Sequence, residues 1–185
     1  VKSGSATGSF DIDRRQDYGF DQIVDATKIG TEYIFVRGQG DDGWENALII
    51  AHEDNTTFSV NGVASPEVLN AGDSFAIEGN NYNTNGNMFV ETSKPVFAYQ
   101  GIGGLRFGNP SMANQGMFFV PPLSCENRGG VNNIANINEI GAGSNFNGFT
   151  TIVTNTSSAV TITDSTGNII TPDGPFPVTG NPNYV

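Results

Sequence analysis

No stretch of this chain longer than one turn repeats its apolar residues at the helical period. That absence constrains the fold more than any other feature of the sequence. Short alternating or apolar runs are separated instead by Gly, Asn, Asp and Ser. Residues 22–26, 31–37, 47–51, 57–60, 75–78, 88–92 and 95–100 read as strands. In the second of these, Tyr33, Phe35 and Arg37 alternate with Ile34 and Val36, which predicts a strand partly covered on both faces. The run at 47–51 is continuously apolar and reads as a buried strand. Asn61-Gly62 closes the run at 57–60 with a turn pair that tolerates positive φ. Ile49, Ile50, Phe58, Val60, Val96 and Tyr99 are the expected core. The expected fold is all-β, a sandwich of short antiparallel strands.

A repeat is superimposed on this pattern. Ile49 and Thr151, Phe58 and Val160, and Gly72 and Gly174 are each 102 positions apart. Two similar, duplicated β halves would produce this offset, as would recurring turn-and-strand grammar. The duplicated reading divides the chain into an N-terminal arm (1–20), a first β unit (21–110) and a second β unit (111–185). It places Phe176 and Val178 in a strand equivalent to that of Phe75 and Ile77. It also expects the second unit to be truncated, with two further strands beyond Val185.

Charge narrows the partners. With 8 Lys and Arg against 19 Asp and Glu, the net charge is −11. Such a surface repels a phosphate backbone and an anionic bilayer, so no nucleic acid is expected as partner. No apolar run approaches the roughly 18 residues of a membrane span, so no membrane insertion is expected. The single cysteine, Cys125, cannot form an internal disulfide, so the fold must rest on its core. A disulfide-free, Asn- and Thr-rich β chain points to a bacterial extracellular protein. The chain begins at Val1 without a signal peptide and reads as a mature or excised fragment.

The residues offer little for catalysis. His52 is the only histidine, and Glu53 and Asp54 beside it point to opposite faces or into a turn. No Gly-x-Ser-x-Gly elbow surrounds a serine. Cys125, after Pro121-Pro122, reads as a buried, inert thiol. Nothing singles out one carboxylate pair for glycoside hydrolysis. Residues 101–104, Gly-rich, lack the following Lys and Ser or Thr of a phosphate loop and read as a turn.

Two kinds of binding site remain. Asp11, Asp13, Asp17 and Asp21 are spaced so that they can wrap oxygen ligands around calcium, without the glycine and terminal glutamate of a helix-loop-helix site. Asp41-Asp42-Gly43 with Glu45 is a second calcium candidate. Solvated acidic loops are the alternative for both. For a ligand, Trp44 in the polar loop 39–45 is the leading aromatic, with Tyr18 and Phe107 behind it and Phe20 weaker. An exposed Trp44 would stack on a sugar ring, whereas a folded-back one would lie over the sheet as a lid.

Several motifs in order carry a family resemblance. They are Asp21-Gln22-Ile23-Val24, Gly30-Thr31-Glu32-Tyr33-Ile34, and Ile50-Ala51 with Asp54-Asn55-Thr56-Thr57 and Val60-Asn61-Gly62. Leu69-Asn70-Ala71-Gly72, Thr92-Ser93-Lys94-Pro95-Val96, Tyr99-Gln100-Gly101 and the run from Phe119 through Pro121-Pro122 to Cys125 continue the series. Together they resemble the IgGFc-binding-protein N-terminal-like domain, as found in large surface proteins of Bacteroidota. The resemblance implies a β-rich, secreted module of a long adhesin, of the kind exported by the type IX system and used in attachment or gliding motility. It carries no catalytic residues and no immunoglobulin binding, and the disulfides of animal members have no counterpart here.

The function expected is therefore non-enzymatic adhesion at a bacterial cell surface or in the secreted medium. The partners expected are a surface glycan or protein ligand and neighbouring domains of the same chain. A carbohydrate-binding module is the alternative, and a secreted hydrolase a distant third.

Overall fold

The computed structural model describes residues 8–12, 15–19, 24–106, 109–123 and 150–185. Its strands are β1 (Gly8–Ile12), β2 (Arg15–Gly19), β3 (Gly30–Val36), β4 (Asn46–Ala51), β5 (Thr56–Val60) and β6 (Val63–Leu69). They continue as β7 (Ser74–Ile77), β8 (Asn87–Arg106), β9 (Asn109–Phe119), β10 (Ile162–Thr163) and β11 (Ile169–Ile170). Two short 3-10 turns, Ala26–Lys28 and Gly79–Asn81, are the helical elements among the described residues. The protein is all-β, and its main sheet is antiparallel throughout.

The long strand β8 organises the sheet of seven strands, ordered β6-β5-β8-β4-β7 with β3 and β9 also on β8. The first half of β8 pairs with β3 and β5, and the second half with β4 and β9. Residues 88–92 and 95–100, expected as two strands, are therefore one. Ser93-Lys94-Pro95 bends the strand without ending it, and the Thr92 hydroxyl donates to the Lys94 carbonyl at 2.8 Å across the bend. Because β8 changes neighbours midway, the sheet curls and its two halves face each other. Tyr33, Phe35, Met88 and Val90 from one half meet Ala47, Ile49, Val96 and Ala98 from the other in a single core.

The six expected core residues differ in depth. Ile49, Phe58, Val96 and Tyr99 are buried, while Ile50 and Val60 are half-buried. Burial in β4 alternates, so its continuous apolar run reflects two partly covered faces rather than full burial. Alternation in β3 follows the expectation. Tyr33 and Phe35 enter the core, and Ile34 packs with Phe89 on the opposite face. The Asn61-Gly62 turn has φ of 52° and 82°, the left-handed pair that a two-residue hairpin requires.

Tyr33 fastens the start of β3 to β8. Its hydroxyl donates to the Val96 carbonyl at 2.6 Å and accepts from the Gly30 amide at 2.8 Å. Gln100, buried beneath the opposite end of β3, imitates a strand residue. Its Nε2 donates to the Val36 carbonyl at 2.5 Å, and its Oε1 accepts from the Val36 amide at 3.4 Å.

Several expectations give way here. Part of the expected N-terminal arm forms the β1–β2 hairpin. Residues 22–26 form no strand where they are described, and Ala26–Lys28 is a 3-10 turn capped by Asp25, which accepts from the Thr27 amide. β9 crosses the expected boundary between residues 110 and 111 and completes the sheet of the first unit. The segment that the 102-residue offset pairs with β4 does not repeat it: Thr151, Ile152 and Val153 are exposed and lie in no strand. Phe176 and Val178 also lie outside any strand. Gly174 and Gly72 share a positive φ, which a turn alone explains.

The C-terminal segment packs on the first unit instead. Val178 is buried with Ile34 and Phe89, with Tyr184 and Leu123 beside them. Asn83 donates to the Thr179 hydroxyl and Asn87 to the Pro177 carbonyl. This segment is what covers the second face of β3.

Candidate binding groove

β6 and β7 follow one another through the turn Asn70–Asp73, yet they do not pair. β6 bonds to β5 and β7 to β4. The two diverge because their partners sit on different halves of β8. The divergence leaves an open groove of about 610 Å³. Its floor is the aromatic pair Phe58 and Phe75, with ring centroids 5.0 Å apart at 50°. Val60 and Ile77 extend the floor, and Val63 and Ala64 of β6 form one wall. Val63 is 72% exposed, a large apolar side chain left to solvent at the lip. At one end Asn61 donates to the Asn81 carbonyl at 2.7 Å and ties the β5–β6 turn to the turn after β7. Glu78 is the sole ionisable residue among those that line the groove.

The loop expected to present ligand residues is built differently. Glu45 is fully buried. Its carboxylate accepts from the amides of Gly38 at 2.7 Å, Gly40 at 2.6 Å and Gly103 at 2.9 Å. A buried carboxylate needs such donors to replace lost water. The glycines are there because of it: a Cβ on Gly40 would lie 2.5 Å from the Gly103 Cα and 2.8 Å from Glu45 Oε1. Residues 101–104, expected as a turn, belong to β8 and serve this contact.

Trp44 is buried at 6% exposure, so its ring faces inward and is not presented for stacking. Asp42 pairs with Arg37 at 2.5 Å. With Glu45 and Asp42 both engaged, the Asp41-Asp42-Gly43-Glu45 loop is a structural clasp rather than a cation cradle. Nearby, Tyr82 is buried, and its hydroxyl has no hydrogen-bond partner in the structure. Burial first, and then the charge of Glu45, push its pKa well above the usual tyrosine range, against an opposing pull from Arg37.

The remaining candidates are placed by backbone alone or not at all. Asp11 sits opposite Gln16 in the β1–β2 ladder and Asp17 opposite Phe10, so the two acids are not ladder partners. Tyr18 lies on β2, opposite Ser9. Asp13, Asp21, Phe20, Phe107 and Cys125 lie outside the described residues. Among the described residues no three His, Cys, Asp or Glu side chains converge as metal ligands. His52 is exposed at the end of β4, with its ring edge-on to Phe97 at 6.0 Å.

Sequence reasoning missed the groove. Its signal in the sequence is Pro66, shortly after the Asn61-Gly62 turn, which marks β6 as an edge strand.

The described residues form a curled all-β domain with an apolar-floored open groove, and it is the family match that makes the chain a binding module. The chain belongs to the IgGFc binding protein family, whose model matches residues 1–184. No curated protein and no solved structure matches it. Among the described residues no helix is long and apolar enough to cross a membrane.

Proposed function

We propose that this chain is a non-enzymatic, extracellular binding module of a large bacterial surface or secreted adhesin, and that the groove between β7 and the β5–β6 hairpin holds its ligand. The groove itself carries the reading. Exposed Val63 and half-buried Phe75 border an apolar floor that no other described segment covers. Exposed apolar surface gathered in a concavity commonly marks a binding site. The family supports a binding role, and the acidic composition argues against polyanionic partners. The motif resemblance supports the adhesin setting, with neighbouring domains of the same chain as further partners. Calcium held by Asp11, Asp13, Asp17 and Asp21 is a separate part of the proposal, supported by the spacing of those carboxylates alone.

A carbohydrate ligand is the second reading, favoured by the exposed carboxamides of Asn80 and Asn81 at the end of the groove. A glycan array and a peptide array, each probed with the intact chain and with Val63→Arg, test both. Ligand binding that Val63→Arg abolishes supports the groove. Binding untouched by Val63→Arg places the ligand elsewhere, and silence on both arrays refutes the binding-module reading.

A further inference from the structure

We infer that the groove takes an extended, basic peptide segment of a partner protein, which adds to the free edge of β7 as a further strand. This deepens the binding-module proposal and rests on it.

The β4–β7 register fixes which backbone groups are free. Ala51 donates to the Asp73 carbonyl, and Gly79 donates to the Asp42 carbonyl. Between them Ile49 pairs with Phe75 and Ala47 with Ile77. Alternate residues of an antiparallel strand bond to opposite sides. The odd-numbered residues of β7 therefore face β4, and Ser74 and Ala76 turn their N–H and C=O groups away from it; Ala76 also lines the groove. An uncovered row of this kind is a template for another strand.

The facing strand is not an equivalent template. β6 carries Pro66, which has no N–H to give, and its register with β5 breaks between Thr57 and Ser59. Proline and bulges are the devices that blunt an edge. β7 carries neither. It offers one usable edge, with half-buried Phe75 beside it to meet side chains of one parity of an added strand.

Charge selects among occupants. No Lys or Arg lines the groove, Glu78 stands at its rim, and Glu67 is exposed on the neighbouring β6. A second copy of the chain would oppose two net charges of −11. A peptide with basic flanks around alternating apolar residues meets the same surface favourably.

The test is an array of random peptides of about ten residues, a length that spans an ordinary strand. It is probed with the intact chain, with Ala76→Pro, and with Val68→Thr as a control on β6 outside the groove. Ala76 is exposed and its N–H is not used by β4, so proline there removes the outward donor at an edge position that tolerates it. The expected result is enrichment of Lys- or Arg-flanked alternating peptides. Their affinity should fall roughly two- to tenfold with Ala76→Pro, as loss of one backbone hydrogen bond implies, and stay unchanged with Val68→Thr. N-methylation of alternate peptide nitrogens should cause the same loss without altering the protein. Peptides that bind equally well to Ala76→Pro and after N-methylation would overturn strand addition while leaving a binding module. Binding of glycans alone, with no peptide enriched, would do the same. Concentration-dependent dimerisation abolished by Ala76→Pro would assign the edge to a second copy and also overturn the proposal.

Discussion

Phe58 of β5 and Phe75 of β7 pack with ring centroids 5.0 Å apart, tilted by 50°, between strands that share no hydrogen bonds, and this contact joins the two halves of the curled sheet beneath the groove. Phe58 is buried and Phe75 half-buried. Phe58→Ala should destabilise the fold by about 3–5 kcal/mol, and Phe75→Ala by less. A double-mutant cycle followed by denaturant unfolding should return a coupling of about 0.5–1.5 kcal/mol. Strict additivity would mean that the two rings contribute independently and that other contacts hold the halves together.

Glu45 sets the path of the loop it ends. Glu45→Gln replaces one acceptor oxygen with a donor facing the amides of Gly38, Gly40 or Gly103. The expected loss is about 1.5–3 kcal/mol, the range for a hydrogen bond to a charged group. Thermal unfolding measures it, and an unchanged midpoint would show that a neutral carboxamide holds the loop as well as the carboxylate does.

Tyr33 gives the fold an alkaline limit. Its pKa is pushed up to about 12 by burial, against a smaller opposing effect of its hydrogen bond with Gly30. The unfolded tyrosine ionises near its ordinary value of about 10. Between these values the folded state holds a proton that the unfolded state has lost. The contribution is complete below pH 10 and is lost as pH rises through 12. Tyr33→Phe should therefore lower stability at neutral pH by about 1–3 kcal/mol and flatten the decline between those limits. Parallel pH curves for the two proteins would contradict this.

The C-terminal segment is held by close backbone approach. Gly180 has a φ of 89°, and a Cβ there would lie 2.7 Å from the Asn61 carbonyl carbon and the Gly62 nitrogen. Gly180→Ala should cost at least about 1 kcal/mol from the left-handed backbone alone. Hydrogen exchange should then accelerate around Val178 and at Ile34 and Phe89, which that segment covers. Unchanged protection at Ile34 would show that the contact adds nothing to the sheet.

Calcium is tested by melting the chain with excess calcium and with chelator. A cation held by Asp11, Asp13, Asp17 and Asp21 binds only the native state and must raise the midpoint. Superimposable curves would reduce those carboxylates to a solvated acidic segment.

Much of the sheet is legible in the sequence because strand parity is a local signal. Tyr33 and Phe35 against Ile34, and the Asn61-Gly62 turn, need only neighbouring residues to be read. Ser93-Lys94-Pro95 has the composition of a break, so the sequence alone reads β8 as two strands, while its continuity depends on partners far along the chain. β6 and β9 were missed because Pro66 in one and the Asn, Ser and Gly of the other weaken strand propensity, which pairing overrides. The groove is a tertiary product: adjacent strands diverge only because β5 and β4 bind different halves of β8. Trp44 reads as exposed for a similar reason, since its polar loop folds inward around Glu45, whose carboxylate also binds the distant Gly103 amide.

Amide chemical-shift mapping tests the binding groove most directly. The labelled chain would be titrated with whichever peptide or glycan the arrays return. Perturbations concentrated at Val63, Ala64 and across Phe75, Ala76, Ile77 and Glu78 are predicted. Perturbations confined to other surfaces, such as the loop around Asp41 and Asp42, with those groove amides unmoved, would contradict it.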